Sequence, residues 1–355
     1  MTADTVGGVW TYALELCEGL GRRGVHVVLC TMGRPLADDQ WRDAERVPGV
    51  ELFESTYRLE WMDDPWEEVE RAGEWLLEIA GRVRPEVVHL NNFCHGTLPW
   101  PAPVVMVGHS CVLSWFEAVR GEPAPPSWDR YRQEVTRGLR AASRVVAPSR
   151  DMLSALERHY GPFASARVIA NARGRVRFAS APTKEPFILS AGRLWDEAKN
   201  VAALAEIASE LPWPVRVAGE AAHPSRPDDG FASRSSVEGL GRLAPEALAV
   251  EMSRAAIYAL PARYEPFGLS PLEAALSGCA LVLGDIPSLR EIWGDAAVFV
   301  PPDDQDALRD ALLKLIDDLP LRMQMSHRAR TRAARYDHQA FTDAWLEEYG
   351  RISSS

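Results

Sequence analysis

The sequence predicts an α/β protein with two doubly wound, Rossmann-like domains that face a cleft. Short apolar runs typical of buried strands alternate with amphipathic stretches along nearly the whole chain, as in parallel sheets covered by helices on both faces. The 355 residues are enough for two ordinary domains, each with its own core. Ligands of such folds bind at the carboxyl ends of the strands, so functional residues are expected at the strand exits.

The first predicted domain spans residues 1–172. Apolar runs predict its five strands, and amphipathic periodicity predicts four helices. The strands are Val25–Thr31, Val50–Glu54, Val87–Leu90, Val104–Val107 and Arg144–Ala147, and the helices are Trp10–Arg22, Pro65–Arg82, Trp128–Ala141 and Arg150–Tyr160. A further helix is predicted at His338–Arg351.

The second predicted domain spans residues 184–337. Asn171–Pro186 mixes Gly, Arg, Ser and Pro and marks the boundary, while Ala221–Ser235 is typical of a mobile surface loop. The predicted strands are Phe187–Ala191, Val215–Ala218, Val237–Leu240, Ile257–Leu260, Ala280–Leu283 and Ala297–Val300.

The segment Ala262–Ala274 carries the strongest functional signal. It places two carboxylates beside a glycine and a helix start, between an apolar strand at Ala256–Leu260 and a helix at Leu269–Ser277. The free N–H groups and the dipole of a helix N-terminus favour an anion. Ionised carboxylates instead accept hydrogen bonds from sugar hydroxyls. The segment therefore predicts a site for a sugar attached to a phosphate.

With Glu265 and Glu273 in its two acidic positions, this segment resembles the E-x7-E signature of retaining glycosyltransferases of family 4, which have the two-domain GT-B fold. The resemblance implies that Glu265 and the backbone after it approach the transferred sugar, and that Glu273 binds the ribose of the nucleotide. Gly268 and Leu269 would offer N–H groups to the diphosphate. The resemblance places Phe267 and Ser270 in the same donor-binding turn.

A structural alternative remains open for Glu273. Ser270-Pro271-Leu272-Glu273 is also a good capping box, with proline at the first helical position. In that case the carboxylate would only stabilise the start of the helix.

A second motif, Ile188–Asn200, is an apolar run that breaks at Gly192 and delivers Arg193 and Lys199 before the next helix. Two cations at a strand exit can clamp a diphosphate, since arginine supplies a fork of donors and lysine a mobile charge. The family has a similar Gly-Arg-Leu…Lys pattern with both cations on the donor phosphates, although the interval here is one residue longer. The alternative is that Arg193 and Lys199 are ordinary solvent-exposed charges at the rim of the sheet.

Weaker matches occur in the family's order along the chain. Gly7 and Gly8 resemble its N-terminal glycine loop, which faces the donor phosphates and the acceptor. His109 follows the strand Val104–Val107, where the family has a histidine over the reacting sugar; His95 is a less specific candidate. Asn171 matches the family's Asn-Gly at the exit of the first domain, with Ala172 in place of the glycine, and Pro287–Ile292 and Val300–Asp304 complete the C-terminal pattern.

The start of the chain departs from the family pattern. Family members begin with a short apolar strand, whereas Met1-Thr2-Ala3-Asp4 resembles only the end of that strand and its exit loop. A missing central strand would leave backbone groups unpaired in a core. Because the chain matches only the end of the family's first strand, we nevertheless expect this strand to be missing or truncated.

Composition excludes several classes of function. The net charge of -11 argues against general affinity for nucleic acid or anionic lipid. The five cysteines form no C-x-x-C pair, which argues against disulfides and a zinc site. The sequence shows neither a run of about 18 apolar residues nor a signal peptide, so we expect a cytoplasmic enzyme without a transmembrane segment.

The resemblance implies that the helix His338–Arg351 packs back on the first domain. It also implies that the first domain binds an acceptor and the second a UDP- or GDP-type sugar, which is transferred with retention and without a metal or cofactor. The catalytic group would be His109, Glu265, Arg193 and Lys199. The acceptor would be a small molecule, a lipid-linked molecule or a glycan; its identity, the donor's sugar and base, and the oligomeric state are not specified by the sequence. A truncated, non-catalytic protein that binds a nucleotide or partner is the main alternative. A nicotinamide-dependent oxidoreductase is disfavoured because no G-x-G-x-x-G lies between a strand and a helix.

Overall fold

A computed structural model of the protein describes residues 1–5, 7–175, 178–181, 183–222 and 236–354. The chain divides into two units: unit 1 comprises Met1–Asn171 with His338–Ser355, and unit 2 comprises Ala172–Asp337. Residues 223–235, which make up most of the predicted surface loop, lie outside the described residues.

In the part of unit 1 that the structure describes, the strands run parallel to their neighbours and form two sheets. The first contains β1 (Thr2–Asp4), β2 (Val27–Met32) and β3 (Val50–Glu54) in that order, and the second contains β4 (Val88–Leu90), β5 (Val104–Val107), β6 (Arg144–Ala147) and β7 (Ala166–Val168). Helices connect most of them: α1 (Gly8–Arg22), α2 (Asp38–Glu45), α3 (Trp66–Val83), α4 (Val112–Arg120), α5 (Asp129–Ala141) and α6 (Arg150–Tyr160).

The first strand, which we expected to be missing or truncated, is a three-residue strand. Thr2 pairs in register with Cys30, and the Cys30 N–H donates to the Met1 carbonyl oxygen at 2.8 Å. The Met1 amino group donates to the Val28 carbonyl oxygen at 2.7 Å. These bonds satisfy the β1 edge of β2.

The described residues of unit 2 form one parallel sheet of six strands. In chain order these are β8 (Glu185–Ala191), β9 (Val215–Ala218), β10 (Glu238–Gly241), β11 (Ala255–Leu260), β12 (Ala280–Gly284) and β13 (Val298–Val300), and their spatial order is β10-β9-β8-β11-β12-β13. The helices are α7 (Val201–Ile207), α8 (Pro245–Arg254), α9 (Leu269–Leu276), α10 (Pro287–Trp293), α11 (Gln305–Asp317) and α12 (Leu319–Ala333). The order reverses between β8 and β11, which is where open α/β sheets bind ligands.

Helix α13 (His338–Ser353) follows unit 2 in the chain but belongs to unit 1. Its Phe341 and Trp345 rings meet the Tyr12 ring of α1 edge to face, with centroids 5.7 and 6.4 Å apart. The fully buried Glu348 forms ion pairs with Arg144 of β6 at 2.5 Å and with Arg167 of β7 at 2.9 Å. Apolar packing and buried charge together hold α13 on this unit.

The predicted fold class, two doubly wound α/β domains, is confirmed. Strands β3, β5 and β6 have the predicted bounds, and β2, β4, β10 and β13 begin one or two residues later than predicted. We did not predict β7, because Ala166-Arg167-Val168 is half-buried and contains no apolar run. No helix in the described part of the chain is long and apolar enough to span a bilayer.

Candidate active site

The exits of β8 and β11 lie side by side at one edge of the unit 2 sheet. The two strands pair in parallel, with Ile188 opposite Ile257 and Leu189 opposite Tyr258, so both chains leave the sheet at the same end. The two exit loops are bonded to each other, since the N–H groups of Arg263 and Tyr264 donate to the Ala198 carbonyl oxygen at 2.9 and 3.3 Å.

Lys199 and Glu265 are in direct contact at this edge. The Lys199 Nζ lies 2.5 Å from Glu265 Oε2, and the side chains are only 17% and 12% exposed. The Ser288 hydroxyl donates to the Glu265 carbonyl oxygen at 2.6 Å and fixes the backbone that carries the carboxylate. The structure therefore brings together one residue from each of the two strongest motifs, although 66 residues separate them.

Asn200 holds the loop that presents Lys199. It adopts a left-handed conformation with φ 54°, and its side-chain amide donates to the carbonyl oxygens of Pro261 at 2.9 Å and Pro302 at 2.7 Å. A non-glycine residue in this region is uncommon. The two hydrogen bonds of its side-chain amide offset the backbone strain and position Lys199.

Arg193 has a different partner from Lys199. Its guanidinium lies 2.7 Å from Asp196 Oδ2, and its Cζ lies 5.4 Å from the centre of the Trp195 ring. Burial opposes ionisation of Asp196, but the charges of Arg193 and Lys199 outweigh it and hold the pKa of this carboxyl below its usual value. Asp196 thus orients Arg193 at the same strand exit.

The turn after Glu265 leads into the N-terminus of α9. Gly268 has φ 90° and is the N-cap of α9, and a Cβ there would lie 3.2 Å from the Pro271 ring, so other residues are strained at this position. The Phe267 ring is 2% exposed and packs edge to face on Tyr336. The Phe267 side chain is therefore used for packing within unit 2. Leu269 and Ser270 begin the helix, where the first N–H groups have no intrahelical acceptor.

Tyr258 connects this turn to both central strands. It lies on β11, its hydroxyl is 2.7 Å from Ser270 Oγ, and it accepts a hydrogen bond from the Ala191 N–H of β8 at 3.3 Å. The start of α9 is thus fixed to the sheet edge.

The capping-box interpretation of Glu273 is wrong. Helix α9 begins at Leu269 with Gly268 as its N-cap and no side-chain cap, so Ser270 lies inside the first turn. Glu273 instead forms an ion pair with Arg173, whose Nε lies 2.8 Å from Glu273 Oε1; the side chains are 7% and 12% exposed. The Arg173 guanidinium also lies 5.2 Å from the centre of the Phe178 ring.

In unit 1, His109 lies at the exit of β5. Its Nε2 is 2.8 Å from Asn91 Oδ1, and the edge-to-face Tyr12 ring is 4.4 Å away between centroids. Burial lowers the pKa of His109 to about 3. The imidazole is therefore neutral at physiological pH.

The predicted glycine loop lies at the start of α1. Gly7, with φ 93°, is the N-cap, and Gly8 is the first helical residue, while Val6 lies outside the described residues. The first turn of α1 has no acidic residue, so the positive end of its dipole is not compensated there.

Two other candidates are enclosed by protein. His95 is buried, with Nε2 2.9 Å from the Val69 carbonyl oxygen and Nδ1 2.5 Å from Asn92 Nδ2, which identifies it as a structural histidine. Asn171 is buried at the end of unit 1.

One group of side chains in the described part of the chain has metal-ligand spacing, with ligand atoms of Glu15, Glu18 and His338 within 4.8 Å of one another. These donors already have protein partners: His338 Nε2 lies 2.8 Å from the Glu15 carbonyl oxygen, and Glu18 forms an ion pair with Arg22. The group lies in unit 1 and includes none of the predicted site residues.

Sequence reasoning missed Asn91, Asp196, Arg173 and Tyr258. Asn91 could have been found, because it directly follows a predicted strand, the same signal that selected His109. Arg173 and Tyr258 have partners that are distant in the sequence. Asp196 pairs with Arg193 within a turn.

Both halves of the chain match known families. Residues 173–332 match the family described as glycosyl transferases group 1, and residues 6–173 match the family described as glycosyltransferase family 4. The phosphatidyl-myo-inositol mannosyltransferase of Mycolicibacterium smegmatis is 32% identical over 119 residues, which are 33% of this chain and 31% of that protein. The aligned part is thus less than a third of that relative's length.

Solved structures share the fold over the whole chain. Sucrose-phosphate synthase from Thermosynechococcus elongatus has a TM-score of 0.84 at 20% identity, covering 99% of both chains. Anabaena HepE in complex with UDP-glucose has a TM-score of 0.75 at 16% identity, also covering 99% of both chains. This likeness shows the GT-B fold class. The two family matches, which together run from residue 6 to residue 332, show that the chain belongs to the group 1, family 4 glycosyltransferases.

Proposed function

We propose that this chain is a retaining glycosyltransferase that uses a nucleotide-diphosphate sugar of the UDP or GDP type. The observation that carries the proposal is the contact between Lys199 and Glu265 beside the start of α9. In this proposal Lys199 is the cation for phosphate, Glu265 is the carboxylate for sugar hydroxyls, and the first N–H groups of α9 complete the site at the same sheet edge.

In the proposed reaction, the bond between the anomeric carbon and the β-phosphate oxygen breaks. The acceptor oxygen forms its bond to the same face of that carbon, and its proton passes to the β-phosphate oxygen. The products are the glycosylated acceptor and the nucleoside diphosphate. Negative charge grows on the departing diphosphate, so fixed cations and N–H groups stabilise the transition state more than the ground state.

Lys199, Arg193 and the N–H groups after Gly268 would supply that stabilisation. Protein groups fill the phosphate site in this scheme, and it uses neither a metal nor a cofactor. Asp196 keeps Arg193 in place and reduces the entropy lost when the diphosphate binds.

The two signature carboxylates keep acceptor capacity in this arrangement. An ionised carboxylate has two oxygens with about four lone-pair sites. Lys199 approaches Oε2 of Glu265, and Arg173 approaches Oε1 of Glu273. We propose that Glu265 accepts hydrogen bonds from the transferred sugar and that Glu273 accepts hydrogen bonds from the ribose.

The relatives support a nucleotide-sugar donor, since HepE was solved with UDP-glucose and the mycobacterial relative is named as a mannosyltransferase. The acceptor class in this proposal is a small molecule, a lipid-linked molecule or a glycan, and unit 1 would bind it. The five cysteines, all buried and free of disulfides, support placement in the reducing cytoplasm.

The proposal is tested by incubating purified full-length protein with a panel of UDP- and GDP-sugars and measuring released nucleoside diphosphate. We expect release with one base, and a product with the anomeric configuration of the donor by NMR. Binding of nucleoside diphosphate without release from any donor would favour a non-catalytic, nucleotide-binding protein. No binding and no release would contradict both interpretations.

A further inference from the structure

Asn91 connects three parts of unit 1. It directly follows β4, and its side chain reaches Thr2 of β1 on one side and His109, at the exit of β5, on the other. The Asn91 main-chain N–H also donates to Thr2 Oγ1 at 2.9 Å. The residue is therefore fixed through both its backbone and its side chain.

The orientation of the Asn91 amide follows from its contact with Thr2. Asn91 Nδ2 lies 2.7 Å from the Thr2 main-chain oxygen. A carbonyl oxygen only accepts hydrogen bonds, so the group facing it must be the NH₂. The Oδ1 of Asn91 must then face His109.

This orientation determines the tautomer of His109. Asn91 Oδ1 only accepts, and His109 Nε2 lies 2.8 Å from it, so Nε2 must carry the proton. A neutral imidazole has one N–H, which leaves Nδ1 as an acceptor. In the described part of the chain, no hydrogen-bond partner of His109 Nδ1 is seen.

The neighbouring groups support a neutral ring. The side chains facing His109 are Tyr12 of α1, whose ring packs against it, and His89 of β4, whose Nε2 lies 3.3 Å from the same Asn91 oxygen. The Met1 ammonium is a further positive charge near His89. None of these groups supplies a carboxylate that would stabilise the imidazolium.

We propose that Asn91 is a positioning residue that holds His109 in the Nε2–H tautomer, so that Nδ1 accepts a hydrogen bond from a substrate hydroxyl. The first part is a property of the protein alone, while the second rests on the proposed transferase function. The substrate group that contacts His109 must then be a donor, since a hydroxyl can donate to Nδ1 whereas a carbonyl or phosphate oxygen cannot. Replacing that hydroxyl by fluorine or hydrogen should weaken binding of the substrate.

The tautomer can be measured directly. In ligand-free full-length protein labelled with ¹⁵N-histidine, two-bond ¹H–¹⁵N correlation spectra distinguish protonated from unprotonated ring nitrogens, and His109→Gln assigns the signals. We expect a protonated Nε2 and an unprotonated Nδ1 at pH 7. An Nδ1–H tautomer in the wild-type protein would overturn the proposal.

Two substitutions test the role of Asn91. Asn91→Ala should give mixed tautomers and lower kcat/KM by roughly tenfold, the factor for one neutral hydrogen bond. Asn91→Asp loses the donor to the Thr2 main-chain oxygen but still presents an accepting oxygen to His109 Nε2. It should therefore keep the Nε2–H tautomer and raise the pKa of His109, because the new carboxylate stabilises the imidazolium. Activity should then fall at a higher pH on the acid side, where the protonated ring cannot accept. An unchanged tautomer in Asn91→Ala together with an unchanged pH profile in Asn91→Asp would contradict the inference.

Thr2→Val is the matched control. It removes the hydroxyl that accepts from the Asn91 N–H and donates to Asn92 Oδ1, but keeps the main-chain oxygen that orients the Asn91 amide. We expect lower thermal stability and an unchanged tautomer. A tautomer shift as large as that of Asn91→Ala would assign the effect to general packing and overturn the proposal. Because the NMR measurement needs no donor, a protein with the expected spectra but no nucleotide release would refute only the transferase function.

Discussion

Arg173 Nε lies 2.8 Å from Glu273 Oε1, and both side chains are nearly buried. The second glutamate of the signature is therefore one partner of an interior ion pair rather than a helix cap. Arg173 supplies a fixed positive charge beside this carboxylate in a site with little solvent. A ribose that binds Glu273 would share the carboxylate with a fixed cation.

Replacing Glu273 by Gln should lower both nucleotide affinity and stability. A neutral amide is a weaker acceptor for ribose hydroxyls, so affinity should fall by about 1–2 kcal/mol. Arg173 would also lose its charged partner. Since Gln can still accept one hydrogen bond, the loss of stability should lie near the low end of the ~3–5 kcal/mol for a broken buried pair. Calorimetry with nucleoside diphosphate and urea denaturation measure the two effects.

Asp285→Asn provides the control for Glu273→Gln, because it breaks the exposed ion pair with Arg290 and should cost about 0–1 kcal/mol. Glu265→Gln provides the functional contrast, since its proposed partner is the sugar. It should reduce initial rates with intact donor more than affinity for the free diphosphate. Equal nucleotide affinity in wild type and Glu273→Gln would exclude ribose binding at Glu273.

Lys199→Ala and Arg193→Ala should each lower turnover by about 10²–10³-fold, as expected when one preorganised group that stabilises charge is removed. Initial rates of nucleoside diphosphate release measure this. Lys314→Ala, on the exposed side of α11, should retain wild-type turnover. Wild-type rates in both site variants would exclude the diphosphate role of this strand exit.

Nucleoside diphosphate should raise the melting temperature without any divalent ion, because protein cations and backbone N–H groups form the proposed phosphate site. A ligand that binds only the folded state stabilises it by about 2.7 kcal/mol at 100 times its Kd. Thermal unfolding in the presence of excess chelator tests this. Lys199→Ala is the control, in which nucleoside diphosphate should raise the melting temperature less than in wild type. Stabilisation that depends on magnesium or manganese would contradict a metal-free site.

Asp196 should contribute stability that depends on pH. Its pKa is lower in the folded protein than in the unfolded chain, since Arg193 and Lys199 outweigh the effect of burial. The contribution is therefore complete above the unfolded pKa of about 3.9 and is lost as pH falls through the folded value. The stability difference between wild type and Asp196→Asn should be larger at pH 7 than at pH 3.

Urea denaturation at both pH values checks the prediction for Asp196. Asp295→Asn is the control, because Asp295 is 88% exposed and surface changes usually stay within about 0.5 kcal/mol. An equal difference for Asp196→Asn at pH 7 and pH 3 would show that the charge of Asp196 does not contribute.

Local features of the site could be predicted from the sequence. Glu265, Gly268, Arg193 and Lys199 follow apolar runs long enough to identify β8 and β11, and the parallel pairing of those strands then brings the residues to one edge. The ends of these strands can be predicted from the sequence because a few neighbouring residues determine them. The same signal led to His109.

The partners of these residues could not be predicted. The Ser270-x-x-Glu273 spacing fits a capping box and also fits the first turn of a helix that starts earlier. The turn at Gly268 decides between them, because its positive φ ends the loop one residue before Leu269. Pairing of Arg173 with Glu273, and of Asn91 with His109, depends on the arrangement of strands that are distant in sequence.

The place of α13 in the chain has a consequence for biosynthesis. Unit 1 includes both the first 171 residues and a helix that is translated only after unit 2. While the ribosome makes residues 172–337, the Tyr12 face of α1 lacks its Phe341 and Trp345 partners, and Arg144 and Arg167 lack Glu348. The nascent unit 1 therefore exposes an apolar, basic surface that α13 later covers.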